Sequence, residues 1–376
     1  MNRSYIFKAS AVAVLLACIL QATCVYARAE SAEAAVTIEA QSGTVLYQNN
    51  ADAQLPMAST TKIMTALITI EKCDMSDIFT VSASAAAAEG SKMGLLAGDK
   101  ISVEDLLYML LLKSANDAAE VLAENIAGSV EKFADLMNER ADKMGLKHTH
   151  FVNPHGLPAE GHYTTAYELA LIARVCFSNP VFRQIVSTDV QTLTYHKLAI
   201  QNSNKLLRTY EYCIGGKTGF TKAAGRCLVT AAEKDGTTLI TVTLNDGDDW
   251  NDHEQLYDKC FGLVERTMLY KPGEYTAVRP VLNGKEIKIT NSEPIYVVKC
   301  AGTVPKYEII ENLLPMYFAP IDKGQTAGYI AVSYGGLNSG EAEMIFAQDE
   351  NQAQDKESEF KKFEYNLRRL LQTLLP

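Results

Sequence analysis

Apolar positions recur along this chain either at helical spacing or in strict alternation, and the two spacings divide it into segments. Residues 36–48 alternate around Ser42-Gly43, which predicts a hairpin whose strands join a sheet with a later strand at 213–220. Pro56-Met57-Ala58-Ser59 then leads into a run of Ile, Met, Ala and Leu, predicting a buried helix whose first turn holds Ser59. Residues 102–144 are helical in pattern. Ser102 with Asp105 resembles a capping box, and the apolar stripe of Leu106, Leu107, Leu110 and Leu111 stops at Lys113. Helices are expected next over 116–126 and 129–144, the second ended by Gly145, and another over 165–177 beyond a loop at 148–162. Residues 192–198, 213–220, 226–232 and 237–244 read as strands, and 255–268 as a closing helix. Strands at both ends with helices between predict one α+β unit over residues 28–270.

After Lys271-Pro272-Gly273 the pattern changes to short β runs at 286–290, 295–299 and 328–333 with turns at Asn283-Gly284 and Gly335-Gly336, a small all-β domain over 271–348. A polar linker follows within 349–376. It leads to a stretch at 359–375 with Phe360, Phe363, Leu367, Leu370, Leu371 and Leu374 on one helical face and Lys361, Lys362, Arg368 and Arg369 elsewhere. Such a helix is suited to an anionic membrane surface; packing on its own β domain or on a second copy is the alternative. At the other end Arg3 and Lys8 precede a short apolar run, and Val25-Tyr26-Ala27 closes a secretory signal over 1–27. Lipoprotein processing at Cys18 is the rival reading.

Arg3 and Lys8 are the only charged residues of that leader, so without it the formal net charge goes from −10 to −12. An acidic chain of this kind speaks against nucleic acid as a partner. Six cysteines remain beyond the leader: Cys73, Cys176, Cys213, Cys227, Cys260 and Cys300. Their wide spacing shows no small-scaffold framework; Cys213 and Cys227 flank one predicted strand, as free buried thiols or as a bridge.

Three short segments carry candidate chemistry. Three residues is close to one helical turn, so Ser59 and Lys62 emerge on one face, near backbone N–H groups that the helix start leaves unpartnered. A serine hydroxyl needs a base, and a lysine serves when burial or a nearby cation makes its ammonium easier to deprotonate. Ser114-Ala115-Asn116 falls at a junction between predicted helices, where short polar side chains can enter a cleft. Lys217-Thr218-Gly219 lies inside a predicted strand. Four of the six histidines, His148, His150, His155 and His162, crowd one loop; a metal site competes there with plain solvated polarity, and without His-Glu-x-x-His no metal is expected.

Ser-x-x-Lys, Ser-x-Asn and Lys-Thr-Gly, in that order, are the set shared by penicillin-binding proteins and class A β-lactamases. With the Asn153-Pro154-His155-Gly156-Leu157 loop, the trailing β domain and the terminal amphipathic stretch, the chain resembles the low-molecular-weight penicillin-binding proteins of the D-alanyl-D-alanine carboxypeptidase family, peptidase family S11. The segment 244–253 is similar to one in sporulation-associated members. Many better-known members carry an Arg there; this chain has none between Asn245 and His253.

The resemblance implies a β-lactamase/transpeptidase-like fold and an exported, membrane-peripheral enzyme without cofactor. Such an enzyme acts on peptidoglycan stem peptides ending in D-Ala-D-Ala and is blocked covalently by β-lactams. It implies Ser59 as nucleophile, Lys62 as base and Ser114 as proton relay, with Asn116, Lys217, Thr218, Gly219 and Phe220 holding substrate. Lys217 would carry a fixed charge for the terminal carboxylate, and the amides of Ser59 and Phe220 would form the oxyanion hole. A serine β-lactamase and a non-catalytic cell-wall binding protein are the alternatives; no Glu-x-x-Leu-Asn type segment is present to serve the first.

Overall fold

In the computed structural model, residues 31–350 are described, apart from Asn283 and Gly284. The leader and the 359–375 stretch lie outside the described residues. Strands β1 (Ala34–Glu39) and β2 (Val45–Asn49) form the hairpin. Two short pairs follow, β3 (Ile78–Thr80) with β4 (Lys100–Ser102) and β5 (Val190–Thr192) with β6 (Ala199–Gln201). Strands β7 (Cys213–Thr221), β8 (Gly225–Lys234) and β9 (Thr237–Leu244) complete an antiparallel five-stranded sheet in the order β2-β1-β9-β8-β7. The Lys-Thr-Gly strand is thus an edge strand.

Every residue of β9 is buried, because both faces of the sheet are covered. Val229, Ala231, Ile240 and Val242 face the main core with the helices. The opposite face carries threonines, whose hydroxyls need partners once buried. Helix Asp249–Phe261 supplies them: Thr230 Oγ1 lies 2.6 Å from His253 Nδ1 and 2.7 Å from the Tyr257 hydroxyl, and Thr243 Oγ1 3.2 Å from His253 Nε2.

On the core side, helix Lys62–Lys72 is the central element. Residues 62–69 are all buried, and it touches helices Val103–Leu112, Asn116–Ala127, Val130–Lys143, Ala166–Ser178 and Pro180–Ser187. Their starts follow the chemistry of their caps. Ser102, Ser129 and Thr165 each accept the amide three residues on, and Asn179 accepts Val181 and Phe182 ahead of a helix that begins with Pro180.

Two expected elements differ. Residues 192–198 do not run on as a strand, because the Asp105 carboxylate gathers Thr194 N at 3.1 Å, Tyr195 N at 2.8 Å and Thr194 Oγ1 at 2.5 Å and bends the chain into a turn between β5 and β6. The closing helix ends at Phe261, and the Val, Thr and Tyr that follow form strand β10 (Val264–Tyr270), paired with β13 (Ile295–Cys300).

Strands β11 (Thr276–Pro280), β12 (Glu286–Asn291), β14 (Glu308–Leu313), β15 (Thr326–Tyr334) and β16 (Leu337–Phe346) make a second five-stranded sheet in the order β11-β12-β16-β15-β14. It has its own core around Ile287, Ile289, Val332, Tyr334 and Met344. Arg174 ties the two regions together, donating from Nε to Ala40 O at 2.8 Å and from Nη2 to Tyr334 O at 2.9 Å. No disulfide joins the six cysteines among the described residues; Cys213 and Cys227 lie opposite Ala232 and Gly219, well apart along the β7–β8 ladder.

Candidate active site

Ser59 sits in a 3₁₀ turn, Ala58–Thr61, that runs directly into helix Lys62–Lys72. The turn is braced from inside. Thr60 Oγ1 donates to Met57 O at 2.6 Å, and Thr61 Oγ1 to Ala58 O at 2.8 Å. Val152 N–H donates to His162 Nδ1 at 3.0 Å, so the ring's proton is on Nε2, which donates to Thr61 Oγ1 at 2.8 Å. Ala58 itself is held at a φ of 47°, a left-handed conformation costly for a residue with a Cβ.

Lys62 is fully buried. Its Nζ lies 2.9 Å from Ser59 Oγ, 2.7 Å from Asn116 Oδ1 and 2.6 Å from His155 O. Burial, and then the charge of Lys217, hold its pKa well below the ordinary 10.5. A neutral amine has two N–H groups and one lone pair. Asn116 turns its oxygen to the amine because its own Nδ2 donates to Glu89 O at 2.6 Å, and His155 offers a carbonyl, so both neighbours are pure acceptors. In the neutral amine they take the two N–H groups, which leaves the lone pair for the Ser59 hydroxyl, 2.9 Å from Nζ. In that neutral state Lys62 can accept from Ser59, whereas the ammonium would donate to all three oxygens.

Lys217, from β7, is also buried; burial takes its pKa down to about 7, and its Nζ donates to Thr218 O at 2.6 Å. Gly219 lets the strand reach the nucleophile: a Cβ there would stand 3.0 Å from Ser59 N and 3.2 Å from Ala58 Cβ. Ser114, at a φ of 60° between two helices, lines a cleft of about 520 Å³ together with Ser59, Thr218, Gly219 and Phe220. All eight candidate residues thus converge: Ser59, Lys62 and Asn116 through hydrogen bonds, Ser114, Thr218, Gly219 and Phe220 along the cleft, and Lys217 behind it.

Two of the loop's four histidines depart from the solvated polarity that explained the cluster in the sequence, while His148 and His150 are exposed. His155 and His162 are buried, and burial, with Lys62 nearby, lowers them to about 3 and about 4; His150 also contributes at His162. Among the described residues no three His, Cys, Asp or Glu side chains cluster as metal ligands. What the sequence reading missed is that this loop supplies a main-chain atom, the His155 carbonyl, to the amine. Missed too was Asp117, whose carboxylate receives Met93 N at 2.9 Å and Gly94 N at 2.8 Å. An Asn-Pro-x-Gly turn was the available signal for the first, since its glycine marks close approach of backbone.

A model of the D-alanyl-D-alanine carboxypeptidases, peptidase family S11, matches residues 21–248. The chain belongs to this family. It is 34% identical over 341 residues to D-alanyl-D-alanine carboxypeptidase DacF of Bacillus subtilis (strain 168), covering 86% of this chain and 87% of that one. It is 32% identical over 336 residues to DacC of Escherichia coli (strain K12), covering 85% and 84%. Penicillin-binding protein 5 from Haemophilus influenzae superposes with a TM-score of 0.62 at 27% identity, over 86% of this chain and 98% of that one. The mixed helix and antiparallel sheet are shared with these penicillin-binding proteins, and this chain is α+β with an all-β C-terminal region.

Proposed function

We propose that this serine hydrolase removes the last D-alanine from peptidoglycan stem peptides ending in D-Ala-D-Ala, through an acyl-enzyme on Ser59. The observation that carries the reading is the buried Lys62 amine, its Nζ 2.9 Å from Ser59 Oγ and its pKa held well below the ordinary value by burial. Ser59 Oγ attacks the carbonyl between the two D-alanines as its proton passes to Lys62 Nζ. The amide C–N bond breaks when the leaving nitrogen receives a proton, relayed through Ser114. Water then attacks the ester, gives its proton to Lys62, and releases the shortened peptide as Ser59 recovers its hydrogen. The amides of Ser59 and Phe220 would receive the developing oxyanion, an effect worth about 3 kcal/mol per donor. Asn116 orients the amine, Lys217 depresses its pKa, and Thr218 offers a hydroxyl to the substrate.

β-Lactams meet the same serine as covalent inhibitors. A β-lactamase is the weaker reading, because the sequence holds no Glu-x-x-Leu-Asn type segment to activate water for fast deacylation. Ser59→Ala is expected to abolish D-alanine release from a pentapeptide and acylation by labelled penicillin, while the melting temperature stays within a few degrees of wild type, since Ser59 sits at a cleft wall. Penicillin label on any other residue of wild type would sink the assignment.

Export and attachment to the outer face of the membrane rest on the leader and the 359–375 pattern. Deleting residues 359–376 is expected to shift the protein from the membrane to the soluble fraction with its activity retained; unchanged partition would remove the anchor from the reading. A sporulation-stage role rests on the 244–253 likeness, and synthesis confined to vegetative growth would exclude it.

A further inference from the structure

A carboxypeptidase must distinguish a terminal carboxylate from an internal peptide bond, and a cation at the cleft is the direct means. Neither buried lysine lines the cleft: Lys62 Nζ is engaged with Ser59, Asn116 and His155, and the Lys217 Nζ donates to the Thr218 carbonyl. Two other cationic residues line the cleft, Lys113 and Arg226. Lys113 is an exposed side chain beside Ser114 on the helical wall. Arg226 belongs to the strand wall: on β8 it is the cross-strand partner of Phe220, which immediately follows the Lys-Thr-Gly triplet.

Arg226 is also held in place. Its Nη2 donates to Asp249, a buried carboxylate in the first turn of helix Asp249–Phe261, and its guanidinium lies 5.7 Å from the centre of the Trp250 ring, the chain's one tryptophan. The side chain remains 42% exposed toward the cleft. A guanidinium carries five N–H donors and Asp249 engages one nitrogen, so donors remain for a second acceptor; Nε is buried with no partner among the described residues. The segment 245–253, which lacks an arginine of its own, instead supplies the Asp249 and Trp250 that hold one contributed by the neighbouring strand.

We propose that Arg226, braced by Asp249 and Trp250, recognises the terminal carboxylate of the peptide. The proposal rests on the carboxypeptidase reading above, and it makes Arg226 a substrate-binding residue.

The test compares a D-Ala-D-Ala peptide with the same peptide capped as its C-terminal amide, and penicillin with its methyl ester, each through the rate of Ser59 acylation or product release. Arg226→Gln is expected to lower kcat/KM for the free-acid peptide about 10- to 100-fold, as for loss of a charge-assisted hydrogen bond, and to change the amide less than about threefold. Turnover of the amide doubles as the control for folding. Arg226→Lys recovers part of the preference, because it restores charge without the planar fork. Lys113→Gln leaves the preference as it was. An Arg226→Gln enzyme that still prefers the free acid, or a Lys113→Gln enzyme that loses the preference, overturns the proposal. If wild type releases no D-alanine, the carboxypeptidase reading fails by itself. The penicillin pair then decides about Arg226: loss of discrimination between acid and ester in Arg226→Gln supports it, and retention overturns it.

Discussion

Lys62→Met is expected to slow acylation of Ser59 by about 10³-fold or more while the protein still folds. General-base assistance is typically worth about 10²- to 10⁴-fold, and no second base lies within hydrogen-bond reach of Ser59 Oγ among its described contacts, which are Lys62 Nζ at 2.9 Å and His155 O at 3.4 Å. Acylation by labelled penicillin, followed in time, measures the loss. A variant within tenfold of wild type would show that the amine is not the base. The pH dependence follows from the same burial. Acylation by wild type falls as pH drops, because Nζ gains a proton and its lone pair is lost. Folding has its own signature. The folded pKa lies well below 10.5 whereas the unfolded one is ordinary, so between the two the unfolded chain binds the extra proton and stability rises with pH. Lys217, at about 7, adds a rise between about 7 and 10. In Lys62→Met the first contribution disappears, and urea unfolding at pH 7 and pH 9.5 is expected to show a smaller difference than in wild type. The change is not expected to stabilise the protein at pH 7, because Asn116 Oδ1 and His155 O lose their donor, at about 1–3 kcal/mol each.

The parts of this site that were legible in the sequence are those written in side chains at fixed local spacing. Ser59 and Lys62 are one turn apart on a continuous apolar helix, so their meeting required no knowledge of the rest of the fold. Ser114 and Asn116 were legible as a junction because the stripe ending at Leu111 stops at Lys113. The Lys-Thr-Gly strand announced itself by its two flanking β runs. What stayed hidden depends on main-chain atoms or on contacts across long loops. Nothing about His155 as a residue type says that its carbonyl will receive the amine of Lys62, 93 positions away. The turn at Thr194 is set by Asp105, 89 positions earlier, and local β propensity reads straight through it. The boundary at Phe261 was lost for a related reason: Leu256, Tyr257 and Cys260 are buried at helical spacing, and the apolar residues from Val264 continue the pattern although they pair with a strand. Arg226 gave no signal at all, since one arginine at a strand start is ordinary until Asp249 and Trp250 fold against it.

Gly156→Ala is expected to cost about 3 kcal/mol or more and to reduce acylation about 10²-fold, although the substitution adds a single methyl group. Gly156 has a φ of 88°, and a Cβ on it would lie 1.8 Å from Ala58 O and 2.8 Å from Thr61 Oγ1. Backbone at that distance cannot step aside as a long side chain could, so the 153–157 loop must retreat from the Ser59 turn. The loop's own bracing opposes this. Asn153 Oδ1 accepts Gly156 N at 2.7 Å, and Pro154 O accepts Thr65 Oγ1 at 2.6 Å, so strain introduced at Gly156 is passed to the neighbouring His155 carbonyl, 2.6 Å from Lys62 Nζ. Losing that acceptor frees one N–H of the amine to rotate toward Ser59, where it would displace the lone pair. Gly145 is the control, with a φ of 76° and open space where its Cβ would go. Gly145→Ala incurs only the left-handed penalty of about 1–2 kcal/mol and keeps its acylation rate. Urea unfolding together with penicillin acylation of both variants separates the two causes, and equal acylation by both would mean that the close approach of this loop does not hold the base in place.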